Sequence, residues 1–214
     1  MIMGQQSLDK ILEGRKIIAV LRGKDAAQYH DVIATLVRAG VNGIELTLTT
    51  PGTLDALEAL RARFGETARI GVGTVLDAKS AREAIDRGAE YIVAPNLNPE
   101  VIGVAVESDI PVLPGVLTPT EVQTALDLGA STVKIFPAQT VGADYLKHLR
   151  GPFPSLQAVP SGGVGLEAAR AWLSAGAPAV SVGGPLLGNV FKTGDVDELR
   201  STATDFVKKL EAHQ

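Results

Sequence analysis

The sequence predicts an α/β protein of the (β/α)8 class, a TIM barrel built as a single domain over residues 1–214 with a short N-terminal helix. Three observations predict it. Eight short apolar runs rich in β-formers recur with starts 21 to 27 residues apart, close to the length of one strand, one crossover helix and two short loops. The stretches between them carry helical periodicity, and four of those end on a glycine. The runs are apolar at nearly every position rather than alternating, which is the pattern of strands covered on both faces. An open doubly wound sheet is the alternative arrangement of the same alternation.

The elements follow in order. Residues 16–22 (KIIAVLR) form the first strand, with β-branched Ile17, Ile18 and Val20 set between Lys16 and Arg22. Over 26–40, Val32, Leu36 and Ala39 share a helical face, and the helix stops at Ala39-Gly40 because glycine accepts the left-handed conformation that other residues resist. The second and third strands are 43–48 (GIELTL) and 69–73 (RIGVG), and the helix over 78–89 stops at Arg87-Gly88. Residues 90–94 (EYIVA) and 111–115 (PVLPG) are the fourth and fifth strands, followed by a helix over 119–130 that ends at Leu128-Gly129. The last three strands are 132–136 (TVKIF), 156–160 (LQAVP) and 179–183 (AVSVG), with a helix stop at Ala175-Gly176 between the last two. The final helix is expected over 194–213.

Composition narrows the function classes. Of the 214 residues 45% are hydrophobic, so a sizeable core is available and general disorder is excluded. A net charge of −4 and an aromatic content of 4% give a nucleic-acid binder neither its electrostatic footprint nor its stacking surface. The absence of cysteine removes disulfides, thiolate metal sites and a cysteine nucleophile. The longest apolar stretch near the N-terminus, Ile17 to Leu21, is far shorter than a membrane span, so a soluble, untargeted, cytoplasmic protein with no membrane partner is expected. None of His30, His148 and His213 stands at a strand end, which disfavours a histidine metal centre or a Ser-His-Asp triad. Neither GxGxxG after the first strand nor GxxxxGK[ST] occurs, so no cofactor and no metal are expected.

A barrel of this class carries its active site at the C-terminal ends of the strands. Two strands hold a charge among apolar neighbours: Glu45 in GIELTL and Lys134 in TVKIF. An unpaired charge there is costly, so the two form either a structural ion pair across the interior or a reactive pair. Burial disfavours the ammonium form of a lysine and favours a nucleophilic free amine. Such an amine attacks a carbonyl to give a Schiff base, and the protonated iminium draws electrons from the adjacent carbon–carbon bond while a nearby carboxylate moves protons. At other strand ends, Thr74 offers a hydroxyl and Arg22 a fork for carboxylate or phosphate. The glycine-rich stretches Ser161-Gly162-Gly163 and Gly183-Gly184 follow strands seven and eight, where such barrels hold phosphate. The plainer reading of those glycines is tight turns.

Taken together, Ile44-Glu45-Leu46-Thr47-Leu48-Thr49-Thr50-Pro51, Gly71-Val72-Gly73-Thr74-Val75, Lys134-Ile135-Phe136-Pro137-Ala138, Gly151-Pro152-Phe153-Pro154 and Pro160-Ser161-Gly162-Gly163-Val164 resemble the class I 2-keto-3-deoxy-6-phosphogluconate (KDPG) aldolase family. The resemblance runs from Lys16 to Leu187. It implies a homotrimeric (β/α)8 barrel that cleaves a phosphorylated keto acid to pyruvate and glyceraldehyde 3-phosphate. It assigns the Schiff base to Lys134 and proton shuttling to Glu45. It gives pyruvate contacts to Thr74 and phosphate contacts to the backbone around Gly162, Gly163, Gly183 and Gly184. Substrate contacts are further expected at Arg22, Thr49, Phe136, Pro95 and Ser161. Two positions depart from the family pattern. Thr49 stands where many relatives carry an arginine near the substrate carboxylate, and Pro185 stands where a serine often follows the two glycines. A related keto acid therefore stays open as substrate, either the phosphogalactonate epimer or 4-hydroxy-2-oxoglutarate. An assembly scaffold that keeps the barrel without its chemistry is the reading from a different class.

Overall fold

The computed structural model describes residue 8 and residues 12–211. The expected N-terminal helix falls outside the described residues except at Leu8 and Leu12, and His213 lies outside them altogether. The chain alternates strands and helices: β1 (Ile17–Leu21), α1 (Tyr29–Arg38), β2 (Gly43–Thr47), α2 (Thr53–Phe64), β3 (Arg69–Gly73), α3 (Ala78–Asp86), β4 (Ile92–Val93) and α4 (Pro99–Glu107). There follow β5 (Val112–Leu113), β6 (Gly115–Val116), α5 (Pro119–Asp127), β7 (Val133–Ile135), α6 (Asp144–Arg150), β8 (Ala158–Pro160), α7 (Leu166–Ser174) and β9 (Val180–Val182). Two short helices, α8 (Gly184–Leu187) and α9 (Val190–Thr193), precede α10 (Val196–Glu211).

All pairings are parallel. Six strands form one sheet in the order β5-β4-β3-β2-β1-β9, and β6-β7-β8 form a second. The expected fifth strand is thus two segments. Pro114 between them has no N–H to give to a ladder, so the strand breaks there: Val112–Leu113 pairs with β4 and Gly115–Val116 with β7. The Pro114 carbonyl still accepts from the Lys134 N–H at 2.8 Å. At the other margin one parallel bridge, Ser161 to Ser181, links the two sheets.

Period-two alternation divides the strand side chains between two cores. Ile17, Ala19, Leu21, Ile44, Leu46, Ile70, Val72, Val133, Ile135, Val180 and Val182 pack into the large cluster that includes the helix residues Leu36, Leu57, Val101 and Trp172. The intervening positions face the other way. Ile18, Val93, Leu113 and Val159 join Leu8, Leu12, Tyr91 and Ala179 in a smaller second cluster, and each large buried side chain contributes about 1.5–3 kcal/mol. Glu45, Lys134 and Ser181 take the same alternate register and are buried. Strands buried on both faces are what the nearly continuous apolar runs demand.

Helix ends follow local chemistry. Gly40, Gly88, Gly129 and Gly176, the four expected stops, all have φ between 91° and 98°. The last helix begins at Val196, two residues later than expected, because Gly194 takes φ 73° and Asp195 accepts from the Asp197 and Glu198 N–H groups. Among the described residues no helix is long and apolar enough to cross a membrane.

The start of α5 is a capping box: Thr118 accepts from the Glu121 N–H, while the Glu121 carboxylate accepts from the N–H groups of Leu117 and Thr118. The Leu117 N–H, helped by Thr118, holds the Glu121 carboxyl below its ordinary range. A carboxyl lowered in the folded state stabilises fully at neutral pH, and that contribution is lost as pH falls through its folded value. Glu121→Ala is therefore expected to lower the unfolding midpoint by about 2–4 °C near neutrality, for a cap worth about 1 kcal/mol. Thermal unfolding followed by circular dichroism should show the gap narrowing in acid; a gap that is the same at both pH values contradicts the assignment.

Candidate active site

The C-terminal ends of β1, β2, β3, β7, β8 and β9 converge on a cavity of about 420 Å³. Its floor carries the two strand charges. Glu45 enters from the middle of β2 and Lys134 from the middle of β7, with side chains 2% and 8% exposed and Nζ 3.9 Å from Oε1. A structural ion pair at this depth has to close to hydrogen-bond distance, ~2.7–2.9 Å, and satisfy the remaining polar valences. This pair stays open, and of its side-chain polar atoms only Glu45 Oε2 is hydrogen-bonded among the described residues, by the Ser181 hydroxyl. Nζ and Oε1 have no hydrogen bond among the described residues, and both residues line the cavity. The arrangement leaves the amine and one carboxylate oxygen open to a guest.

Local sequence places the pair. Gly73 lies beside Glu45, where a Cβ would collide with the carboxylate, so only glycine ends β3 with room for that side chain. Tyr91 lies near Glu45, its hydroxyl donating to the Ile44 carbonyl at 2.6 Å. Burial, and after it the charge of Glu45, push the Tyr91 phenol well above its ordinary value, so it remains a neutral donor. Lys134 Nζ also sits 5.2 Å from the ring centroid of Phe136, an exposed residue that walls the cavity.

The walls are built from loops. Thr74, the first residue past β3, holds φ 59° without being glycine, a conformation costing about 1–3 kcal/mol and typical of residues that must aim a side chain. Its hydroxyl bonds to no protein group among the described residues. Gly162 and Gly163 take φ 89° and 72°, and the loop they form packs against Phe136 and Gln139 so closely that a Cβ at either would press on those residues. Arg22 and Lys192 are exposed on the lining and form no ion pair among the described residues. Two cationic side chains on the lining against the one carboxylate of Glu45 bias the cavity toward an anion.

The sequence model of one family, described as "Aldolase: KDPG and KHG aldolase", matches residues 8–202. The chain belongs to the KDPG and KHG aldolase family. It is thereby an aldolase, a lyase by reaction class. A 2-dehydro-3-deoxy-phosphogluconate aldolase of Haemophilus influenzae is 35% identical over 171 residues, covering 79% of this chain and 80% of the relative. A 2-dehydro-3-deoxy-6-phosphogalactonate aldolase of Escherichia coli K12 is 36% identical over 196 residues, covering 90% of this chain and 93% of that one. A solved native KDPGal structure superimposes with a TM-score of 0.87 at 31% identity, covering 99% of this chain and 98% of its own.

Eleven of the twelve residues singled out from the sequence of this aldolase line its cavity: Arg22, Glu45, Thr74, Pro95, Lys134, Phe136, Ser161, Gly162, Gly163, Gly183 and Gly184. Thr49 does not. It is exposed, and its hydroxyl pairs with that of Thr47 at 3.0 Å. Pro185, noted only as a departure, lines the cavity, and so do Val20, Leu187, Gly188, Asn189, Phe191 and Lys192. All of these but Val20 belong to α8, α9 and the turn between them, a stretch in which the sequence singled out only Pro185 beyond the Gly183-Gly184 pair. Signals were present: Pro185 sits in the first turn of α8, and Gly188 and Gly194 punctuate with positive φ.

Proposed function

We propose that this aldolase cleaves 2-keto-3-deoxy-6-phosphogluconate to pyruvate and glyceraldehyde 3-phosphate through a Schiff base on Lys134. One observation carries the reading: a buried amine open to the cavity, with a carboxylate 3.9 Å away that is not closed on it. The Lys134 amine adds to the C2 ketone, and Glu45 delivers the proton with which the carbinolamine loses water. The iminium accepts the electron pair of the C3–C4 bond as Glu45, now a carboxylate, takes the proton of the C4 hydroxyl, and the aldehyde leaves. Glu45 then protonates the enamine carbon, and hydrolysis frees pyruvate and the amine. Thr74 and Arg22 take the carboxylate end of the substrate, and the loops at Gly162-Gly163 and Gly183-Gly184 take the phosphate. The fold supports this as one (β/α)8 barrel domain, its two sheets meeting at Pro114 and at the Ser161–Ser181 bridge. The homotrimer that the family resemblance implies is tested by light scattering.

The phosphogalactonate epimer is the second reading, favoured by the Escherichia coli relative that matches more of the chain at similar identity. Pyruvate release from the two epimers and from 4-hydroxy-2-oxoglutarate, measured side by side, separates the substrates. A higher kcat/KM for the gluconate epimer is the expected result, and a preference for either other acid replaces it.

Lys192, exposed on the cavity lining, offers the phosphate a charged contact where Pro185 offers neither hydroxyl nor N–H. Lys192→Ala is expected to raise KM for the phosphorylated substrate about tenfold, the loss of one charge-assisted contact, while leaving KM for 4-hydroxy-2-oxoglutarate unchanged. Equal effects on both acids contradict a phosphate role.

Chelators are expected to have no effect. The iminium is the electron sink in this mechanism, and among the described residues no group of three or more His, Asp or Glu side chains is placed to hold a metal. Loss of turnover in EDTA that Zn²⁺ or Mg²⁺ restores contradicts the Schiff-base reading.

A further inference from the structure

Ser181 is the middle residue of β9, between Val180 and Val182, whose side chains pack toward the helices. Alternation therefore turns Ser181 to the opposite face, the one that holds Glu45 and Lys134. Its hydroxyl donates to Glu45 Oε2 at 3.4 Å and accepts from the Ser161 hydroxyl at 3.3 Å. The backbone bridge between Ser161 and Ser181 keeps the two hydroxyls abreast on neighbouring strands. All three residues are buried, at 5%, 3% and 1% exposure for Ser161, Ser181 and Glu45. A buried hydroxyl requires a partner, and these are the bonds the Ser181 side chain makes among the described residues.

The two oxygens of Glu45 are thus divided. Oε2 is held from β9, while Oε1 faces Lys134 and the cavity. The terminal torsion of a glutamate is broad, so nothing in the side chain itself selects which oxygen points where. We propose that Ser181 is a positioning residue for the aldolase reaction: it pins Oε2, braced in turn by Ser161, and so aims Oε1 at the carbon and oxygen atoms attached to Lys134. The proposal rests on the reading above that Glu45 moves protons. It also changes the part given to Ser161, whose hydroxyl is directed to Ser181 rather than to a guest.

Ser181→Ala removes the donor and Ser181→Thr retains a hydroxyl on a strand-compatible side chain. Rates are taken per site that pyruvate and borohydride trap, so that misfolded molecules drop out. For Ser181→Ala we expect kcat to fall about tenfold, as for loss of a hydrogen bond to a charged group, with KM unchanged. Exchange of the pyruvate methyl protons should slow in parallel. Ser181→Thr should recover most of both rates, and Ser161→Ala, which removes only the brace, should lose less than Ser181→Ala. Wild-type kcat per trapped site in Ser181→Ala, or a threonine variant as impaired as the alanine one, overturns the positioning role alone. Failure of the wild-type protein to trap pyruvate overturns the Schiff-base reading and the positioning role with it.

Discussion

Lys134→Arg is expected to abolish turnover while leaving the fold in place. The guanidinium keeps a positive charge near Glu45 and Phe136 but offers no free amine at any ordinary pH. The side chain reaches the cavity from β7, whose backbone is held on both sides by β6 and β8, so a change of head group leaves the strand register untouched. A structural ion pair makes the opposite forecast. Arginine would serve such a pair as well as lysine, and activity would survive. Pyruvate release by the purified variant distinguishes the two, since cleavage near the wild-type rate removes Lys134 from the chemistry.

The second large effect is at Glu45. Glu45→Gln keeps the shape and the bond from Ser181 but cannot shuttle a proton, and should cost roughly 10²–10⁴-fold in rate. The loss should appear in each step that moves a proton, so deuterium exchange into the pyruvate methyl group slows together with cleavage. If Glu45 served only as counter-ion, its loss would leave Lys134 buried without a partner, and the damage would fall on stability. Methyl exchange followed by NMR, at a temperature where both proteins are folded, separates the cases. Equal exchange rates in wild type and Glu45→Gln make Glu45 a structural residue.

How far the sequence discloses this site depends on the kind of signal each residue leaves. Glu45 and Lys134 are visible because a charge inside an apolar strand is an anomaly whatever surrounds it. Strand-end residues such as Thr74 and Arg22 follow from topology, since the end of a strand in this architecture is known once the strand is. Ser181 gives no such signal. A small polar residue in AVSVG is unremarkable until the faces of β9 are known, and it gains its partners from β2 and from the residue that follows β8. Lys192 is hidden differently, because α8 and α9 are too short to leave a periodic pattern. The split at Pro114 was legible in principle, as proline in a central strand argues against continuity. Thr49 misleads because its neighbours in the motif are right: the chain has already turned away from the cavity, and its hydroxyl is paired with Thr47.

The central claim is a covalent bond between pyruvate and one particular lysine. The measurement that meets it most directly is reduction with borohydride in the presence of pyruvate, followed by peptide mapping in a mass spectrometer. The account predicts that the peptide carrying Lys134, and no other, gains the mass of a reduced pyruvyl group, and that omitting pyruvate abolishes the gain. An unmodified Lys134 peptide, or the same mass on a different lysine, contradicts it.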